Sequence, residues 1–145
     1  MSGLGSSFDA LKQAYGPPVH ERLESDLHAH SCDFADGRAT LTATFLLGRV
    51  SHLGVYFEQR PAAAVSSLLE EYSGMSGWQR VPNTDPRFAQ HFSAFNPEGE
   101  RNQLHLASGG VALVQHRVPF GELVLWIEEH AYPELLREYR RRRRS

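Results

Sequence analysis

From Thr40 onward the chain alternates: Leu41, Ala43, Phe45 and Leu47 trade places with Thr40, Thr42, Thr44 and Leu46. A period of two in a stretch rich in threonine predicts a half-buried strand. Leu53, Val55 and Phe57 repeat the pattern after a short link through residues 48–51, so two antiparallel neighbours are expected. Asp36-Gly37 ahead of them is a turn signal. Residues 122–128 alternate in the same way, and shorter strands are placed at residues 27–31 and 78–81.

A different spacing marks the helices. Phe8, Leu11 and Tyr15 recur at intervals of three and four, with Ser7 and Asp9 as possible caps and Gly16-Pro17-Pro18 as a stop. Pro61 suits the first position of a helix over residues 61–72, with Val65, Leu68, Leu69 and Tyr72 as its apolar stripe. Glu70 and Glu71 fall on its wet side and Gly74 ends it. A terminal helix is expected over residues 132–140, with Pro133 in its first turn. Two stretches stay open. Phe88, Phe92 and Phe95 fit one helical face, or Phe88 precedes a strand over residues 91–95. Residues 104–116 read as two strands joined at Ser108-Gly109-Gly110, or as a short helix capped by Ser108.

These elements predict an α+β fold: a single domain with a mainly antiparallel sheet covered on one face by two or three helices, those at 61–72 and 132–140 among them. No internal repeat is visible. Residues 1–7, rich in Gly and Ser, are expected to be disordered. The folded domain is assigned to residues 8–139 and a basic C-terminal tail to residues 140–145.

Composition narrows the class. At 145 residues, with 41% hydrophobic and 22% charged side chains, the chain is long enough to bury a core without staples. No apolar run approaches the length of about 18–20 residues that crosses a bilayer. The first residues lack the basic start and apolar stretch of a secretory signal, so a cytoplasmic location is expected. Cys32 is the single cysteine, which excludes an internal disulfide and a multi-cysteine zinc cluster. Lys12 is the one lysine beside fourteen arginines, a bias typical of a bacterial genome rich in G and C. Five of those arginines, Arg140, Arg141, Arg142, Arg143 and Arg144, stand together. Without them the fifteen basic residues fall to ten against seventeen acidic ones, a balance of −7. The body therefore repels polyanions, and anion binding is assigned to the five arginines, as nonspecific electrostatic contact.

Candidate chemistry is sparse. On a strand, residues two and four apart share a face, so His28, His30 and Cys32 would project two imidazoles and a thiol together, a donor set that suits zinc or copper. The bland alternative is a histidine-bearing surface with Cys32 as core filler. Asp26, Asp33 and Asp36 would raise the thiol pKa, which argues against a catalytic cysteine. The adjacent carboxylates Glu70-Glu71 and Glu128-Glu129 fit solvated faces better than paired acid–base work. Ser108-Gly109-Gly110 lacks the spacing of a nucleophile elbow, and no glycine-rich phosphate loop is present. No catalytic residue and no cofactor is assigned.

Two short motifs carry a resemblance. Gly37-Arg38 stands before the first alternating strand, and Asp85-Pro86-Arg87-Phe88-Ala89-Gln90-His91-Phe92 has the form Asp-x-x-Phe-x-x-x-Phe. Over about residues 37–130 the order of features resembles a bacterial domain family of unknown function, with Gly121-Glu122-Leu123 opening the late strand. The chain departs from that pattern in lacking the second acidic residue after Phe88. The resemblance implies the fold and no catalytic residue. Together with the acidic body and free sheet edges, the expectation is a non-enzymatic protein-interaction module: an adaptor, assembly factor or secretion-chaperone-like protein. Its partner would be another protein, with homodimerisation through the terminal helix as a further expectation. The alternatives are a metal-binding enzyme or sensor using His28, His30 and Cys32, and a binder of anionic surfaces or nucleic acid through Arg140–Arg144.

Overall fold

The alternating segments form strands, as the computed structural model shows over residues 3–22, 30–88, 91–92, 102–117 and 121–144. In chain order the elements are α1 (Phe8–Tyr15), β1 (His20–Arg22), β2 (His30–Ala35), β3 (Thr40–Leu46), β4 (Arg49–Phe57), α2 (Val65–Ser73), β5 (Gln79–Val81), β6 (Asn102–Ala107), β7 (Gly110–Arg117), β8 (Glu122–Glu129) and α3 (Tyr132–Arg144), with a 3-10 turn at Pro86–Phe88. The eight strands among the described residues join one antiparallel sheet in the order β1-β2-β3-β4-β8-β7-β6-β5. The fold is therefore α+β in a single domain.

That order contains a repeat that the sequence does not display. A helix followed by four strands (α1, β1–β4) is succeeded by a second helix followed by four strands (α2, β5–β8). The two four-stranded meanders meet where β4 pairs with β8, with Gly54 opposite Trp126, and their first strands become the two edges. Each leading helix ends on a glycine with positive φ, Gly16 at 83° and Gly74 at 74°, a conformation that costs little only without a Cβ.

One sheet face packs against α1 and α2. Phe34, Leu41, Val55, Phe57, Leu123 and Leu125 from the strands meet Leu11 of α1 and Leu68, Leu69 and Tyr72 of α2, all essentially dry. On the other face Leu46 packs under Tyr132, Leu135, Leu136 and Tyr139 of α3. A second apolar patch on that face joins Leu104, Val111 and Leu113 to Phe88, Phe92 and Trp126. Helical cover of the sheet thus divides, α1 and α2 on one side and α3 on the other.

Local departures from the sequence pattern have physical causes. Leu47, expected within the strand, sits in the β3–β4 turn at φ 55° beside Gly48 and is exposed, while Leu46 takes the buried place. Helix α2 begins at Val65 rather than Pro61, with Ala64 as an extended cap; proline permits a helix start without requiring one. Residues 102–117 resolve as the two strands β6 and β7 joined at Ser108-Gly109. Residues 3–7, expected to be disordered, are tied to the body. Leu4 N–H donates to the Ser73 carbonyl at 3.0 Å, Gly5 N–H to Val50 at 2.8 Å, and Val50 N–H to Ser6 at 2.9 Å. A Cβ on Gly3 would lie 2.3 Å from the Ser73 oxygen, so this segment fits only because residue 3 is glycine.

The basic tail is likewise part of the fold: α3 continues through Arg144. Arginine is a good helix former, and Glu138 offsets the charge by accepting from Arg141 at 2.6 Å and Arg142 at 3.0 Å, one helical turn away. Those two bonds hold the Glu138 carboxyl below its ordinary range. No helix among the described residues is long and apolar enough to cross a membrane.

Candidate functional site

The two motifs behind the family resemblance serve the scaffold. Gly37 takes φ 90° in the β2–β3 turn, where Asp36 Oδ1 accepts from the Ala39 N–H at 2.9 Å and Asp36 Oδ2 accepts from the Tyr72 hydroxyl at 2.6 Å. Arg38 lies 5.5 Å over the Tyr72 ring and pairs with Glu71, pinning that turn to α2. In the second motif Asp85 binds Arg87 through both carboxylate oxygens, at 3.0 and 2.6 Å, which lowers its carboxyl to about 2. Phe88 is buried and stacks with Phe92 at 6.4 Å. Phe95 lies outside the described residues.

Of the predicted metal ligands, His28 lies outside the described residues. His30 and Cys32 do share a face of β2, and they are joined by a residue the sequence reading left out. Glu21 of β1 stands directly opposite Cys32 in the ladder. His30 Nε2 is 2.7 Å from Glu21 Oε1 and 3.4 Å from Cys32 Sγ. One ligand atom from each of the three falls within 4.8 Å of the others. Burial first, then the Glu21 and Asp33 carboxylates, push the Cys32 thiol up to about 11, with Arg22 opposing. Such a thiol is a poor nucleophile. Strand pairing was the missing signal, because partners across a ladder have no fixed sequence separation.

A second cluster had no sequence signal. Glu128, expected on a solvated face beside Glu129, is only 6% exposed and belongs to the same sheet face as Trp126. Its Oε2 accepts from His91 Nδ1 at 2.5 Å, and its Oε1 lies 3.6 Å from His52 Nε2. Burial lowers the His52 pKa, the Glu128 charge opposing. Tyr132 covers His52 at 5.6 Å, and its hydroxyl is pushed up by burial and by Glu128. The carboxylate thus fixes the His91 ring, which stands 6.0 Å from the ring of His130.

His91, His130 and Arg87 border a cavity of about 360 Å³ that reaches Pro133 and Glu134 at the start of α3. A neighbouring cavity of about 510 Å³ shares Arg87 and His130 and extends to Ser108, Leu106 and Gln79. The two make one groove, running from α3 across the β6–β7 turn to the edge strand β5. Beside His91 the smaller cavity is lined by Pro86, Arg87, His130, Ala131, Pro133 and Glu134, and Ser108 brings a hydroxyl to the larger one.

No protein-family model and no curated protein matches the chain. Among solved structures it is similar to a cysteine-rich secretory protein from Staphylococcus aureus, with a TM-score of 0.51 and 8% identity. The likeness covers 87% of this chain and 44% of that one, so this chain spans less than half the length of that protein. At that identity the likeness concerns the fold alone.

Proposed function

We propose that the protein is a non-enzymatic interaction module, in the manner of an adaptor or assembly factor, that receives an extended segment of a partner polypeptide. The observation that carries this reading is the groove in which both cavities share Arg87 and His130 and which opens on edge strand β5. An edge strand offers main-chain hydrogen bonds to an added strand, and a cavity beside it accepts a side chain of the same segment. Two polar groups of the groove are held in place by partners within the chain, Arg87 by Asp85 and His91 by Glu128, which supports a preformed binding surface. The apolar stripe of α3, the expected homodimer contact, packs on Leu46 within the chain. A second copy remains one candidate partner, through the β5 edge instead.

Selection of a displayed peptide library against the purified chain tests this. Enriched peptides are expected to slow amide exchange at residues 79–81. They are also expected to lose binding to Ala131→Trp, which fills the groove from an exposed position. Failure to enrich any peptide, or protection confined to other strands, overturns the reading. Light scattering on the same samples identifies self-association.

A further inference from the structure

We propose that Glu21, His30 and Cys32 form a binding site for a divalent cation of the zinc type, which clips edge strand β1 to β2. Zinc takes thiolate, imidazole and carboxylate together, with Zn–N of about 2.0 Å and Zn–S of about 2.3 Å. In a tetrahedron those bond lengths set ligand atoms roughly 3.3–3.6 Å apart. Cys32 Sγ and His30 Nε2 already stand at 3.4 Å. Glu21 Oε1, at 2.7 Å from the same nitrogen, must retreat by about 0.6 Å to reach that spacing. Its side chain is 42% exposed and is free to swing.

Three features of the fold prepare this site. The His30 ring is held between Phe8 at 6.0 Å and Phe45 at 5.5 Å, which limits its rotation. Cys32 is anchored in the core while its sulfur meets the imidazole at the margin. The nearby cation, Arg22, is drawn by Asp33 to 3.0 Å on the opposite face of the alternating strands, so Glu21 supplies the charge on this one. The negative field that hinders ionisation of the thiol favours a bound cation.

The second half of the sheet provides an internal control. There the centre of the edge strand is Arg80, opposite His105, with Gln103 two residues earlier. A guanidinium occupies the place of Glu21, and a neutral amide the place of His30. Eight-stranded pairing therefore does not by itself assemble a donor set; the first half has one and the second has a cation in its stead.

When the metal enters, the thiol proton leaves to solvent as the Sγ–metal bond forms. Neutral His30 carries its remaining N–H on Nδ1, so that Nε2 donates its lone pair. Three protein ligands leave the fourth position to water. Because β1 has only three residues, all exposed, a bond across the β1–β2 ladder would hold an edge that its own hydrogen bonds hold weakly.

The test uses the full chain, freed of metal with a chelator, and cobalt(II) or zinc(II) alone as probe. One equivalent of cobalt is expected to give a thiolate-to-metal charge-transfer band. Zinc is expected to displace it, to raise the melting temperature, and to slow amide exchange at residues 20–22. Cys32→Ser abolishes the band. Glu21→Gln, on an exposed side chain that leaves the core intact, lowers affinity about tenfold or more. Absence of stoichiometric binding overturns the proposal. So does a band whose affinity is unchanged in Glu21→Gln, or zinc binding that survives Cys32→Ser undiminished. None of these three outcomes bears on the groove beside β5, on the other edge of the sheet.

Discussion

His105 makes stability depend on acidity in a way the structure sizes. It is 6% exposed on β6, its Nδ1 has no hydrogen-bond partner among the described residues, and its Nε2 stands 3.3 Å from Gln103 Oε1. Burial first, then the charges of Arg80 and His116, lower its pKa from 6.5 to about 4. The unfolded chain takes up a proton as pH falls through the ordinary histidine value, while the folded chain refuses it until the lower one. Stability is therefore full above the unfolded pKa, declines as pH drops below it, and levels off near the folded pKa. With about 1.36 kcal/mol for each unit of pKa, roughly 2 kcal/mol is lost between about pH 7.5 and about pH 5. Urea unfolding of the protein and of His105→Leu at both pH values isolates this amount, since the other titrating groups cancel in the difference. The variant is expected to be the flatter by about 2 kcal/mol. At the higher pH it should be no less stable, because an orphaned buried nitrogen has been removed. Parallel loss of stability in both proteins would refute the reasoning and mean that the imidazole titrates near its ordinary value.

Two further outcomes test the packing. In a double-mutant cycle, Glu128→Gln and His91→Phe should show a coupling of about 1.5–3 kcal/mol, the range for a buried hydrogen bond to a charged group; additive effects would mean that the carboxylate does not hold the ring. Gly3→Ala should destabilise by about 1–3 kcal/mol, because its Cβ meets the Ser73 backbone. Fast amide exchange at Leu4 and Gly5 in that variant would show the N-terminal segment released, whereas unchanged protection would contradict the contact.

Much of the scaffold was legible because local periodicity follows local burial. The alternation of Leu41, Ala43 and Phe45 marks one face of β3, and the spacing of Phe8, Leu11 and Tyr15 marks α1, whose cap is Ser7 accepting from the Ala10 N–H at 3.2 Å. Hairpin β3–β4 followed from two adjacent alternating runs. Errors gathered where a signal permits more than one structure: Pro61 did not start its helix, and Leu47 left the strand for a turn. The arginine run read as a tail because charge alone says nothing of the Glu138 contacts that accompany its continuation of α3.

By itself the sequence determined the class: a one-domain α+β chain, its strands and helices written in periods of two and of three to four. It also put His30 and Cys32 on one face, since both lie on a single strand. Only the tertiary structure decided that Glu21 completes their cluster, that Glu128 is buried against His91 and His52, and that two α-plus-four-strand halves meet at β4 and β8. The physical reason is range. Side-chain direction along a strand is fixed by the backbone within a few residues, whereas pairing across the sheet joins positions whose separation no local pattern encodes.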